Sequence, residues 1–560
     1  MIDTVRPQGS AIDSWNPPGP GPWKQDQAHF PHAATAILQE IYPSRIKAGF
    51  AEAMAPFGLL LDCVNQVCVN GFPYMQPQPF DAPGPDGPPS HEFIVAEIGR
   101  RTALAASAME NKIWRDAMKH WDSEAKPASI ALHRSMSCVA LSRLTDAELR
   151  SYLHECIEHL GNMWNQHHRF NCMAMVPVGD FVLHAAQWTQ RPPFPLFAVF
   201  DGWSAVSGIV NPEIEPAVAA LKADEPARIL LEGAEPAAAR LGKLRELLPS
   251  VDEYVKAVGH RIAVGFDLTN PTIGERPDLV LGRLSAALQH GTDESKSRAE
   301  ALARELRSAT PHEHHQEFDA LLAEARYVYR LRDERGLYSD SSAVGLLRLA
   351  LIELGSRLHA RGRIGFTYDA LDLQVVEIDA IFEGSTSPTA ADLTERVALR
   401  KARSAAGAPP LLGPTPPPPP PLDQLPPALA RVMGAFGFML NGVLGEADAP
   451  GGDHDTVLGI AGSGGIYEGP AHIVRNFDDL LGLEDGDVLV TTATGESFNS
   501  FLHVVGAIVT DHGSFASHAA IMGREMGFPA VVGTVDATKR ISNGQRVRVD
   551  GTTGTVTILS

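Results

Sequence analysis

The sequence predicts a multidomain protein: a large, mainly α-helical region over 1–405, a proline-rich linker with a short helix over 406–454, and a C-terminal α/β region over 455–560. Three observations carry that prediction. The chain has 560 residues, too many for one ordinary core. Apolar residues recur at helical spacing through most of residues 91–400, then give way after about Thr456 to short β-type runs divided by turns. Between the two regimes lies AGAPPLLGPTPPPPPPLDQLPP, with Pro416 to Pro421 consecutive. Polyproline is semi-rigid and rises about 3.1 Å per residue, so this stretch predicts a mechanical separator.

Residues 1–90 are punctuated by Pro and Gly, with one helical segment from about Ala33 to Leu61 and aromatic groups around Trp23, His29-Phe30-Pro31-His32 and Asn70-Gly71-Phe72-Pro73-Tyr74. They predict loops held by aromatic packing. Helices follow over Glu97–Trp121 and over Thr145–Trp164, the second opened by Thr145 and Glu148 at capping-box spacing. His154 and His159 are five apart and diverge on a helix, so they predict packing or pocket-lining imidazoles and no zinc-protease site. After a short apolar segment, Phe194–Trp203, helical pattern resumes over Asn211–Ala257, and later over Pro311–Arg335 and Ala343–Arg361. Arg326 and Arg330 on the first of these later helices can meet a phosphate or lie on a solvated face. Strands are expected in VLGIAGSGGIYEGPAHIV, DVLVTT, GAIVT, AVVG and GQRVRVDGTTGTVTIL. Gly462 to Gly465 is glycine-rich but lacks the Gly-Lys-Ser/Thr of a P-loop.

A net charge of −20 argues against nucleic-acid or anionic-membrane partners. Five cysteines without a CxxC pair suit reduced thiols, the N-terminal residues show no secretory h-region, and no run approaches the length of a membrane span, so a cytoplasmic location is expected.

The chemically legible stretch is Val505–Gly533. Val505–Thr510 reads as a strand, Asp511–Ala516 as a turn of small and polar residues, and Ser517–Met526 as a helix stopped by Gly527 and Pro529. His518 thus falls in the first turn of a helix, where unpaired N–H groups and the helix dipole favour an anion such as a phosphoryl group. A neutral imidazole there can attack phosphorus and split one transfer into two.

With Gly513, Ser517, His518, Ala519, Ala520, Arg524, Glu525, Gly527, Pro529, Ala530 and Val531, the stretch resembles the phosphohistidine signature in the swivelling domain of phosphoenolpyruvate synthase, pyruvate phosphate dikinase and rifampicin phosphotransferase. Ser514 stands where a second glycine is usual and Gly523 where an alanine is usual. The resemblance implies that His518 accepts the phosphoryl group, with Ser517, Arg524 and Thr494 as further catalytic-site candidates. It extends to the SGGIYEGPAHI opening and the NGQRVRVDGTTGTV close. Upstream, Gly259, His260, Arg261, Asp267, Leu268, Pro271, Glu275 and Pro277 resemble the family's Gly-His-Arg segment, and the W…HFP and NG-aromatic-x-Tyr pieces resemble the start of its substrate domain. The substrate-binding candidates are therefore His260, Arg261, His29, Tyr74 and Arg326. For His260 and Arg261, phosphoryl or acceptor binding and a turn-shaping charge pair both remain open.

The fold class expected from the resemblance is a mainly α-helical substrate-binding domain plus a C-terminal α/β swivelling phosphohistidine domain. No ATP-grasp pattern is legible in the chain, and the organisation resembles the histidine-bearing subunit of phenylphosphate synthase-type enzymes. That resemblance implies a separate ATP-grasp subunit carrying ATP and Mg²⁺, a hetero-oligomer of dikinase type that turns ATP into AMP and phosphate, and a phenol or cresol acceptor in aromatic degradation. A rifamycin-type antibiotic phosphotransferase and a phosphocarrier without a small-molecule acceptor are the alternatives.

Overall fold

An Asn-Gly turn shapes the start of the chain. In the computed structural model, which describes residues 14–27, 29–30, 32–84, 87–206, 208–289, 295–403, 407–416, 421–444, 453, 455–475, 477–495, 498–499 and 501–559, Asn70 and Gly71 have φ of 52° and 88°. Two successive left-handed residues form the tight turn that matches the twist of paired strands. They join β2 (Leu61–Val69) to β3 (Phe72–Pro79), which with β1 (Trp23–Gln25) and β4 (Leu411–Leu412) forms an antiparallel sheet of order β2-β3-β1-β4. The expectation of loops around one helix is therefore corrected. The helix is Ala36–Met54, and the chain beyond it is hairpin, with Tyr74 facing a small core that also contains Trp23, Phe72 and Leu412.

β4 lies inside the stretch read as linker. It pairs with Trp23 and Lys24, and Ala408 and Leu412 are buried. Of the consecutive prolines, Pro417 to Pro420 lie outside the described residues. The helix after them, Pro427–Leu444, buries Leu429, Val432, Ala435, Phe436 and Met439 in the main core against the helix Asn171–Thr189. At that crossing a Cβ on Gly179 would collide with the Ala435 carbonyl, so only glycine permits the approach. Both segments thus belong to the helical body, and the passage to the C-terminal unit falls after Leu444.

The helical body is built on Asp146–Arg169, Asn171–Thr189, His315–Tyr329 and Asp340–Ala360, packed around the helix Ala36–Met54 and the hairpin. The expected capping box is present: Thr145 N donates to Glu148 at 2.7 Å and Glu148 N to Thr145 Oγ1 at 3.3 Å. The single helix expected over Asn211–Ala257 is instead four: Glu215–Ala223, Glu225–Leu231, Ala237–Leu247 and Pro249–Val258. Pro216, Pro226, Pro236 and Pro249 sit at their starts, where proline is tolerated, and each interrupts what a continuous helix would need. No helix among the described residues is long and apolar enough to cross a membrane.

The C-terminal unit is α/β. Its strands β5 (Thr456–Leu458), β6 (Ile460–Ser463), β7 (Ile466–Val474), β8 (Asp487–Thr491), β9 (Val505–Thr510), β10 (Ala530–Val532), β11 (Arg546–Asp550) and β12 (Thr555–Ile558) form a sheet of order β5-β12-β11-β7-β8-β9-β10-β6. Strands β7 to β10 run parallel, and the helix His518–Met526 crosses from β9 to β10. Its C-cap is Gly527 at φ 82°, as the sequence predicts. One face of the sheet shares an apolar core with the four-helix segment and the helix Pro277–Gln289, joining Leu244, Val255 and Leu284 to Leu489, Phe498 and Ile508. The C-terminal unit is thus docked on the helical body.

Candidate functional site

His518 opens its helix after Ser517, with Gly513 in the preceding turn at φ 115°. A Cβ at Gly513 would come within 2.9 Å of the Ser517 side chain, so glycine is required by both space and backbone. The usual alanine is absent at Gly523 for a related reason: a Cβ there would stand 2.8 Å from Ser463 Cβ and 2.9 Å from Ala530 Cβ. Ser514 is buried, and its hydroxyl accepts from Ala516 N at 3.3 Å.

The His518 ring has one held edge and one bare edge. Nδ1 lies 2.9 Å from Thr494 Oγ1, whereas Nε2 is buried with no hydrogen-bond partner among the described residues. Burial, reinforced by the nearby Arg332 and opposed by Asp333, drives the imidazole pKa down to about 3, so the ring is neutral at physiological pH. In the tautomer that donates from Nδ1–H to Thr494 Oγ1, the lone pair falls on Nε2, where a neutral imidazole can attack an electrophile such as phosphorus. Thr494 thus sits where the family resemblance puts it. The Ser517 side chain does not cap the helix, and its Oγ is buried without a hydrogen-bond partner among the described residues.

Arg524 acts on the turn. Its Nη1 donates to Gly462 O and Phe515 O, both at 3.0 Å, and its Nε faces Asp201 of the helical body at 3.3 Å. Further contacts cross the same interface. Arg332 Nη1 donates to Ala516 O at 3.2 Å, and Arg298 Nη2 donates to the carbonyls of Arg524 and Glu525 at 3.2 and 3.0 Å. Gly202 N donates to Glu525 at 3.3 Å. Phe515 inserts between Phe194, Phe197 and Phe438, with ring centroids 3.9, 4.7 and 5.5 Å away. The burial of Glu525 beside Asp201 and Asp333 raises its pKa to about 8, and burial raises Asp201 to about 6 against the pull of Arg524.

Against this interface lies a cavity of about 740 Å³. Its lining comes from both units and includes Thr494 and Phe498 from one, and His29, His167, Phe266, Arg332 and Tyr368 from the other. His518 is not itself part of the lining; its hydroxyl partner Thr494 is. Two aspartate–histidine pairs meet here. His29 Nδ1 is 2.8 Å from Asp26 Oδ1, and His167 Nδ1 is 2.8 Å from Asp340 Oδ1.

The other candidates separate into those near the cavity and those away from it. Arg261 lines it but is committed to Glu213 through two bonds of 2.6 and 2.7 Å, which favours the charge-pair reading. His260 is buried beside His133, ring centroids 6.1 Å apart, and burial lowers its pKa to about 4. It is not among the cavity residues. Tyr74 donates its hydroxyl to Pro409 O at 2.7 Å, stapling β4 to the hairpin. Arg326 donates to Val199 O at 3.1 and 3.0 Å and lies over the Trp203 ring; like Tyr74 it holds structure rather than lining the cavity. Arg330 is tied to Glu334 and Asp122. His154 meets Asp379, and His159 packs on His133, in keeping with packing roles. Arg332, Asp26 and Asp340 join the site only in the fold. The spacing Arg326-Arg330-Arg332 offered a basic cluster, but not which member would face the histidine.

An α/β unit that presents a buried histidine at the start of a helix, docked on a helical body, is the arrangement the structure defines, and comparison with known proteins finds matches to both parts. Residues 483–554 match the PEP-utilising enzyme mobile domain, and residues 202–333 match the rifampicin phosphotransferase fourth domain. Thr494 and His518 fall in the first, Arg261 and Arg332 in the second. Two segments of this chain are thus similar to domains found in PEP-utilising enzymes and rifampicin phosphotransferases. Among relatives, the uncharacterized phosphotransferase YvkC of Bacillus subtilis is 29% identical over 327 residues, 56% of this chain and 37% of that protein. The rifampicin phosphotransferase of Streptomyces sviceus is 41% identical over 130 residues, 23% of this chain and 14% of that protein. The phosphoenolpyruvate synthase of Aeropyrum pernix is 43% identical over 101 residues, 18% of this chain and 12% of that protein. The chain thus spans well under half the length of each of these relatives.

Proposed function

We propose that this chain is a phosphotransferase component that carries a phosphoryl group on His518 Nε2 and delivers it to a hydroxyl of a small aromatic acceptor, phenol- or cresol-like, held in the 740 Å³ cavity. The observation that carries the reading is the His518 ring itself: neutral, tethered through Nδ1, bare at Nε2, and docked beside a cavity shared by both units. In the transfer, the acceptor oxygen attacks phosphorus, the P–N bond breaks, and its electron pair returns to Nε2. Phosphoryl transfer leaves the protein chiefly positioning and charge compensation. Arg332, at the cavity wall and against the turn before His518, is the cation assigned to the transferring oxygens. Phe266, Phe498 and Tyr368 offer ring surfaces for an aromatic acceptor.

The donor in this reading is a separate ATP-grasp subunit that binds ATP with Mg²⁺ and cleaves it to AMP and phosphate, so the protein would work as a hetero-oligomer. Support comes from the burial of Nε2 in the docked state, which suits a C-terminal unit that leaves the helical body to be charged. None of this chain's residues is assigned to Mg²⁺. A rifamycin-type acceptor is the second reading. It is favoured by the fourth-domain match and by a cavity roomier than a single phenol needs, toward the upper part of the ~300–1,000 Å³ range of small-molecule sites. The test supplies the chain with phosphoryl donor and offers phenol, 4-cresol and a rifamycin in parallel. Phosphorylated phenol or cresol is expected. Product from the rifamycin alone shifts the assignment to the second reading, and phosphoprotein without product from any acceptor refutes both.

A further inference from the structure

Two histidines at the cavity have an aspartate behind them, and one of the two pairs has the build of a base. Asp26 is held by its own backbone N, which donates to Pro73 O at 2.9 Å on β3, and its carboxylate is almost wholly buried. It accepts from His29 twice, from the backbone N at 3.2 Å and from Nδ1 at 2.8 Å. The His29 ring then packs edge-on against Phe266 at 5.1 Å, which together with Asp26 fixes its plane. With Nδ1–H spent on Asp26, the lone pair is on Nε2, which has no hydrogen-bond partner among the described residues, and His29 lines the same cavity as Thr494 and Arg332.

We propose that Asp26 and His29 form the general-base pair of the acceptor half-reaction: His29 Nε2 takes the proton from the acceptor hydroxyl as that oxygen attacks the phosphoryl group on His518. The inference rests on the acceptor-hydroxyl reading above. The balance is closed. The O–H proton moves to His29 Nε2, the oxygen forms the new P–O bond, the P–N bond to His518 breaks, and its electron pair stays on the His518 imidazole. Asp26 then faces an imidazolium, which its carboxylate stabilises without itself taking the proton. Burial works against that imidazolium, but Asp26, with Asp340 assisting and Arg335 opposing, prevails and raises the His29 pKa. The second pair differs. His167 lies deeper, and burial, Arg335 and His29 push its pKa well below the ordinary value, which makes it the weaker base.

A base is needed only by an acceptor that must lose a proton, and that supplies the test. The full chain is loaded at His518 with phosphoramidate, and single-turnover transfer to phenol and to a nitrophenol, already largely ionised at the assay pH, is timed for wild type, His29→Gln, Asp26→Asn and His167→Gln. Equal loading shows that the C-terminal unit is intact in each variant. His29→Gln is expected to slow transfer to phenol by about 10²-fold or more while slowing the ionised acceptor by under about tenfold, with Asp26→Asn intermediate and His167→Gln not selective between the two. Equal slowing of both acceptors by His29→Gln, or no slowing, overturns the assignment, as does acceptor-selective loss in His167→Gln instead. Wild type that loads but passes phosphoryl to no phenol overturns the phenol reading, and this inference with it.

Discussion

Phe515 is the residue whose removal should separate docking from chemistry. It lies three residues before the nucleophile on the C-terminal unit, yet its ring is 3% exposed and touches Phe194, Phe197 and Phe438, all of the helical body. Truncating a well-buried Phe to Ala costs about 3–5 kcal/mol. Because these ring neighbours lie across the interface, we assign about 2–3 kcal/mol of that to the docked state alone, a fall of roughly 30- to 150-fold in the docking constant. Phe515→Ala should therefore load His518 with phosphoramidate at the wild-type rate or faster, since Nε2 is buried in the docked arrangement that the substitution weakens. Single-turnover transfer from the loaded histidine to the acceptor should fall, with interdomain distance measurements showing the undocked population growing. Unchanged transfer and an unchanged docked fraction would refute the view that this aromatic insertion holds the two units together. Failure to load would show that the substitution had damaged the C-terminal unit itself.

Thr494→Val should lower the rate of His518 phosphorylation by about tenfold, the worth of one hydrogen bond that fixes the tautomer, with Thr494→Ser retaining most of it; stopped-time phosphoprotein assays read both. Docking should weaken as pH rises through about 8, because Glu525, raised by burial and by Asp201 and Asp333 against Arg332, holds its proton when docked and returns toward the ordinary carboxyl range when released. The sign follows from proton uptake on docking: stability is greatest below the ordinary carboxyl value and is lost up to the docked one. Glu525→Gln, which mimics the protonated side chain, should flatten the docked fraction measured between pH 6 and 9. Arg326→Leu should lower thermal stability by about 2–4 kcal/mol, since it leaves the Val199 carbonyl without its donor, while the folded variant loads and transfers at near wild-type rates. A selective loss of acceptor transfer in that variant would instead return Arg326 to the substrate site.

The frame of the nucleophile was legible because every device in it is local. The apolar run of β9, the glycine turn and the αL stop at Gly527 lie within Val505–Gly527 and use residue types that fit only those roles. Thr494 could be found only through the family pattern, since nothing in its own neighbourhood ties it to His518. The partners that turn a histidine into a site were not legible, because they come from far along the chain. Arg332 and Asp201 are each nearly 200 residues or more before His518, and Asp26 is fixed by a hairpin that the prolines in Phe72–Pro79 obscured. The Asn70-Gly71 pair was a sufficient signal for that hairpin. Proline also misled in the other direction. The composition of 406–427 reads as linker, yet Leu411 and Leu412 pair with β1, and that long-range pairing leaves no periodic trace in a two-residue strand. Tyr74 and Arg326 match the substrate domain by residue type and family position, and each is taken up by a backbone carbonyl that only the folded chain brings near.

The central claim is that His518 Nε2 carries the phosphoryl group. The most direct measurement is to supply the chain with labelled phosphoryl donor, quench at alkaline pH where phosphohistidine survives, map the label by mass spectrometry, and then chase it with acceptor. The account predicts acid-labile phosphate on residue 518, attached at Nε2, that disappears as phosphorylated acceptor forms, and no label in His518→Ala. Label on another residue, or acceptor phosphorylation that persists in His518→Ala, would contradict it.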